Sequence, residues 1–126
     1  MRKKLPSLKH LKKRAWDTFS KWIRQRDADD MGFCKCVTCG KVGEWRSFHA
    51  GHFVKSGHAV LKFDEHNVHA QCPSCNTYRG GMQDEYAKFI IDRYGLKEFN
   101  RIMELKKVTS FKRNRQDYEE IVESYK

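Results

Sequence analysis

Two Cys-x-x-Cys pairs, Cys36/Cys39 and Cys72/Cys75, bracket five of the six histidines in this 126-residue chain. Two thiolates two residues apart in a tight turn can face the same tetrahedral ion, and two such pairs close a four-cysteine structural Zn2+ site with no position left for water. That zinc is a staple rather than a catalyst. With 32 residues between Cys39 and Cys72, it would pin the approach to a first strand against the start of a short helix. Cys34 is left over and reads as a free buried thiol. Paired spacing and an odd cysteine count fit metal thiolates in a reducing compartment better than disulfides.

Inside the staple lie His49, His52, His58, His66 and His69, with Asn67 and Asn76 close by in sequence. Imidazoles accept protons near neutral pH, and carboxamides orient them or bind cations without titrating. The order is Cys-x-x-Cys, then a strand bearing His52, then Asn67, then Cys72-Pro73-Ser74-Cys75-Asn76 with Arg79 three residues on. It resembles the HNH pattern of ββα-metal nucleases in an HNN form. The fuller phrase HAGHF…FDEHNVHAQCPSCN…RGG…DEYA is similar to the NinG/Rap group of phage recombination endonucleases. The His-x-x-His and CxxCN arrangement also resembles the phage endonuclease VII resolvases. The likeness covers roughly Cys36 to Gly95.

This resemblance implies a metal-dependent DNA endonuclease with branched recombination intermediates as substrate. His52 would be the general base, and Asn67 would hold it by a hydrogen bond or shape the loop that aims it. Asn76 would present its amide oxygen to a single catalytic divalent cation, Mg2+ or Mn2+ by preference for oxygen ligands, and Arg79 would clamp the phosphate. Many members carry Asp or His just before the base, whereas this chain has Gly51. His49, three residues before His52, and His69 are the two candidates to stand in at the metal or the phosphate.

These groups need elements to hold them. Behind Ser7, a residue of N-cap type, Leu8, Leu11, Ala15, Trp16, Phe19, Trp22 and Ile23 recur at helical spacing, which predicts a first helix over about 8–26. Residues 45–54 read as a first strand and 67–71 as a second, with a short helix opening at Pro73 and stopped by Gly80-Gly81. Three apolar stripes predict three further helices after Met82. The expected fold is α+β: a zinc-stapled ββα-metal core at 33–81, between a basic N-terminal helix and loop at 1–32 and C-terminal helices at 82–126, all in one domain.

The net charge is +10, and from Met1 to Arg26 ten Lys or Arg face one acid, Asp17. Such concentration is the footprint of a polyanion binder. Lys9, Lys12, Lys13, Lys21 and Arg24 on the first helix, with Lys106, Lys107, Lys112, Arg113 and Arg115 near the end, are the expected phosphate contacts. No run is apolar enough for a membrane span or secretory signal, so the expectation is a cytoplasmic protein with DNA as partner. A two-fold dimer would suit symmetric cutting of a junction, and monomer and dimer both stay open. The alternative class is a zinc-ribbon-like nucleic-acid-binding module without catalysis, which needs the cysteines but not His52, Asn67 or Asn76. A small-molecule zinc hydrolase fits poorly, because the four-thiolate site is closed.

Overall fold

In the computed structural model, which describes residues 4–55 and 57–126, helix α1 occupies Leu8–Arg26. Arg2 and Lys3 of the basic run lie outside the described residues. The Ser7 side chain accepts the His10 amide at 3.1 Å, satisfying one of the free N–H groups of the first turn. Leu11, Ala15, Phe19 and Ile23 are buried along one stripe, each large side chain stabilising by about 1.5–3 kcal/mol through lost apolar exposure. The stripe packs on Ala50 and Val68 in its second half, and on Val122 in its first.

Two small antiparallel sheets follow. Strands β1 (Phe33–Lys35) and β2 (Val42–Glu44) form a hairpin around the first cysteine pair, Phe33 opposite Glu44 and Lys35 opposite Val42. The sequence pattern gives no sign of this hairpin, because strands of three residues are too short to show alternation. Strands β3 (His49–His52) and β4 (Val68–Gln71) pair with Gly51 opposite His69 and His52 opposite Val68. The predicted strand over 45–54 is therefore corrected to four residues, with a 3-10 turn over Trp45–Ser47 before it. Ser47 Oγ donates to the Glu44 carbonyl at 2.7 Å and holds that turn against the extended form.

After β4, Cys72-Pro73 leads into a short π-type turn over Ser74–Tyr78. Gly80, Gly81 and Met82 then take consecutive positive φ values of 63°, 86° and 51°, which reverses the chain into α2 (Gln83–Tyr94). Helices α3 (Leu96–Leu105) and α4 (Arg115–Tyr125) complete the chain. Asn114 and Asp117 exchange side-chain-to-backbone bonds as a capping box at the start of α4. Helices α2 and α3 bury Tyr86, Ile90 and Ile102 against Phe53, Val54 and Leu61. Strand parity decides the sides: Ala50, His52 and Val68 face α1, whereas His69 faces α2. No helix among the described residues is long and apolar enough to cross a membrane.

Candidate metal centre and basic cavity

The sulfurs of Cys36, Cys39, Cys72 and Cys75 all lie within 4.8 Å of one another. A zinc ion with four thiolates at Zn–S near 2.3 Å makes a tetrahedron with edges of about 3.8 Å, and the Cys39 and Cys72 sulfurs are 3.8 Å apart. The donor set therefore fits one metal ion such as zinc. Backbone amides point at the sulfurs: Cys72 N–H donates to Cys36 Sγ at 3.3 Å, and Lys41 N–H to Cys39 Sγ at 3.5 Å. Burial pushes the Cys36 thiol up, but the N–H donors and Thr38 outweigh it and bring the pKa down to about 6, which favours the ligating thiolate. Cys34 is outside the cluster. Its Sγ donates to the Arg24 carbonyl at 3.2 Å, and burial raises its pKa to about 11, as a free interior thiol.

Beside this centre opens a cavity of about 690 Å³ between α1 and β3. Trp16, Ser20 and Arg24, one ridge of α1 at four-residue spacing, form one wall; His49, Ala50 and His52 form the floor. Asn76 and Gly81 close one end, and Arg46, Lys55 and Lys62 add cations, with no acid among the lining residues.

His52 is held by two contacts. Its ring stacks on Trp16 at 5.0 Å between centroids and 20° between planes. Its Nε2 lies 3.0 Å from the carbonyl oxygen of Lys62. A carbonyl can only accept, so the neutral ring carries its proton on Nε2 and leaves the Nδ1 lone pair free. Burial lowers the His52 pKa, opposed by the Lys62 carbonyl and reinforced by the Lys62 ammonium.

Asn67 is fully buried and makes no side-chain hydrogen bond to His52 among the described residues. Its Oδ1 accepts Val54 N–H at 2.7 Å, and its Nδ2 donates to Val54 O at 2.9 Å and Leu61 O at 3.0 Å. It shapes the loop that carries Lys62 to His52. Asn76 does reach the cavity, where its Nδ2 donates to His49 Nδ1 at 3.0 Å. His49 is exposed at the open end of β3, and so reaches Asn76 despite the opposite strand parity from His52.

Two expectations are corrected. His69 is not brought to this cavity: it is buried on the α2 side, with Nδ1 3.1 Å from Tyr86 Oη and Nε2 2.7 Å from Tyr94 Oη. Arg79 is exposed just after the π-type turn and does not line the cavity. The space beside Gly51 itself is taken by another residue. A Cβ there would come 2.8 Å from Gln71 Cβ and closer still to its Oε1, so Gln71 fills the space. Gln71 is fully buried; its Nε2 donates to Gly81 O at 2.9 Å and Thr38 Oγ1 at 3.1 Å, while its Oε1 has no hydrogen-bond partner among the described residues.

The basic residues divide likewise. Arg24 lines the cavity, and Lys13 pairs with Asp17. Lys9, Lys12, Lys21, Lys106, Lys107 and Lys112 are exposed. Arg113 donates to Ala59 O at 2.6 Å and Arg115 to Pro6 O at 2.9 Å, so Arg113 ties the C-terminal region to the chain's middle and Arg115 ties it to the start. Sequence reasoning missed Trp16, Arg46, Lys55 and Lys62 at the cavity. The 16-20-24 ridge was a usable signal for Trp16, whereas the Lys62 contact is made by backbone and leaves no trace in residue type.

The fold and site define a mixed α+β protein with a cluster of four cysteines that could hold a metal ion, next to a basic histidine- and asparagine-lined cavity. The chain belongs to the NinG family: the family model described as Bacteriophage Lambda NinG protein matches residues 1–126. Similar relatives are Protein ninG of Salmonella phage P22, 34% identical over 67% of this chain and 39% of the relative, and Protein ninG of Escherichia phage 933W, 35% identical over 66% and 39%. Protein ninG of Escherichia phage lambda is 34% identical over 66% and 39%. The chain thus matches about two fifths of the length of these relatives. No solved structure matches it. The likeness carried by HAGHF and CPSCN is borne out at the level of this family.

Proposed function

We propose that the basic cavity hydrolyses DNA phosphodiesters, with His52 as general base and branched recombination intermediates as the preferred DNA. The observation that carries this reading is His52 itself: an imidazole pinned through Nε2, with Nδ1 free, on the floor of a cavity lined, among the described residues, by four cations and no acid. The succession of β3, β4 and the turn over Ser74–Tyr78 supports a ββα-metal core of the HNN form.

Nδ1 takes the proton of an attacking water as the new O–P bond forms and the P–O bond to the leaving strand breaks. Arg24, Arg46, Lys55 and Lys62 offset the charge that develops on the phosphoryl oxygens. Trp16 and the Lys62 carbonyl keep the imidazole from turning, and Asn67 keeps that carbonyl in place. His49 and Asn76, which already touch at 3.0 Å, are the residues that would hold a divalent cation; an imidazole and a carboxamide suit Mn2+ or Mg2+ that keeps several waters. When bound, such a cation supplies Lewis-acid stabilisation of the phosphoryl and departing oxygens. The exposed lysines of α1 and of 106–112 would grip flanking phosphates, positioning the duplex without reading its sequence.

The test is incubation of supercoiled plasmid and a four-way junction with the zinc-loaded protein in Mg2+, Mn2+ or EDTA, beside His52→Ala and Asn76→Ala. Metal-dependent cleavage, reduced at least about a hundredfold by His52→Ala, is the expected result. Binding without cleavage in every metal would leave the non-catalytic zinc module as the better description, and cleavage undiminished in His52→Ala would remove the base assignment.

A further inference from the structure

On the far side of the β3–β4 sheet from His52 lies a second cavity, of about 370 Å³. Its apolar wall is aromatic: Phe89 and the ring of Tyr94, on which His66 stacks at 3.9 Å and 15°. Lys35 and Arg93 also line it, both exposed and free of ion pairs among the described residues. Of the two acids at its edge, Asp27 is offset by a cation, and Glu65 keeps its charge while accepting a hydroxyl. Asp27 binds Arg26 at 2.7 Å and accepts the Ala70 amide at 2.8 Å, and Glu65 accepts the Tyr125 hydroxyl at 2.7 Å.

Three hydrogen bonds lead from this cavity to the candidate centre, and their directions are determined. Tyr86 Oη donates to the Gly51 carbonyl at 2.6 Å, since a carbonyl only accepts. His69 Nδ1–H therefore donates to Tyr86 Oη at 3.1 Å, which leaves Nε2 to accept the Tyr94 hydroxyl at 2.7 Å. Gly51 is the residue before His52. Tyr86 and His69 are buried and Tyr94 is half-buried, and bonds shielded from water polarise one another.

We infer that this second cavity binds a phosphate-bearing nucleotide, the base against Tyr94 and Phe89 and the phosphate between Lys35 and Arg93, and that the Tyr94–His69–Tyr86 relay reports its occupancy to the Gly51–His52 strand. A planar, anionic ligand is what an aromatic wall beside two unpaired cations recognises, by stacking and charge together. The inference rests on the nucleic-acid reading above for the supply of that ligand, either a free nucleotide or an unpaired residue of a DNA strand.

The experiment is a two-dimensional NMR titration of the full zinc-loaded chain, without added Mg2+ or Mn2+, using thymidine monophosphate and, separately, a 5′-phosphorylated tetrathymidylate. Saturable shifts at Phe89, Tyr94 and Lys35 are expected, weakened about tenfold or more by Arg93→Glu or Lys35→Glu and retained in His52→Ala. Response to the mononucleotide identifies a free nucleotide as sufficient; response to the oligonucleotide alone identifies the strand. Both charge reversals are at exposed positions, and overlaid spectra confirm their folding. In Tyr94→Phe the accompanying shift of the His52 ring should vanish, which a merely structural tyrosine would not cause. Shifts confined to the His52 cavity, no saturation with either probe, or affinity unchanged in both reversals would overturn the proposal. Failure of the nuclease reading looks different: no DNA is cut in any metal while binding at Tyr94 persists.

Discussion

Gln71 lays its side chain over Gly51, from the neighbouring strand, in the space where any other residue at 51 would carry its Cβ. The same carboxamide donates to Thr38, whose Oγ1 lies 3.4 Å from Cys36 Sγ. One buried residue thus joins the four-cysteine centre to the strand that bears His52. Gly51→Ala should destabilise the fold by roughly 1–3 kcal/mol through overpacking, measured by chemical denaturation. Gly51→Ala combined with Gln71→Gly, which removes the Cβ as well as the carboxamide, should cost clearly less than the sum of the two, because the clash is shared; additive costs would show that Gln71 does not fill the site.

Removal of the metal should open the β1–β2 hairpin. One zinc per chain is expected from elemental analysis, and Cys39→Ser or Cys72→Ser should lose it. Chelation should lower Tm and expose Trp45, which packs against the cysteine cluster. A chain that keeps its Tm after complete zinc removal would contradict a stapling role.

Asn67→Ala removes a buried carboxamide that satisfies three backbone groups. A cost of roughly 2–4 kcal/mol is expected from the unpaired groups left behind. The Lys62 carbonyl should lose its fixed position, so cleavage should fall even at temperatures where the variant is folded. Unchanged hydrogen-exchange protection at Leu61 and Val54 would argue against this.

The buried histidine on the α2 side makes stability pH-dependent. Burial, helped by Arg26, lowers His69 from 6.5 to about 3. In the native state it stays neutral while the unfolded chain takes up a proton, so its stabilising contribution is complete above about pH 6.5 and is lost as pH falls toward 3. Denaturation followed across that window should show stability declining, with a shallower decline in His69→Gln. The depressed His52 pKa has a separate consequence: the imidazole proposed as base stays unprotonated below the usual histidine midpoint, so the acid limb of any cleavage profile should lie below pH 6.5.

Charge reversal at the cavity should be read through salt. Arg24→Glu and Arg46→Glu should each weaken DNA binding and reduce the dependence of log K on log salt by about one phosphate contact. Arg113→Ala should act on stability instead, since its guanidinium is committed to Ala59 O and to the faces of Phe63 and Phe111.

Much of this was legible in the chain itself. The apolar spacing from Leu8 to Ile23, with Ser7 in front, located α1 to its observed ends, because helical periodicity and capping are local properties. The two Cys-x-x-Cys pairs likewise declared the four-cysteine cluster, since ligand geometry constrains their spacing. The family membership followed from residue order around His52 and CPSCN. What residue order could not supply was the side of the sheet on which each group emerges. His49 and His69 looked equivalent candidates beside Gly51, and only the register of β3 on β4 sent His69 to Tyr86 and Tyr94 while leaving His49 at the open end with Asn76. The Lys62 carbonyl behind His52 and the Gln71 side chain over Gly51 are contacts between segments ten and twenty residues apart. They depend on backbone position and on shape, which the tertiary fold alone decides.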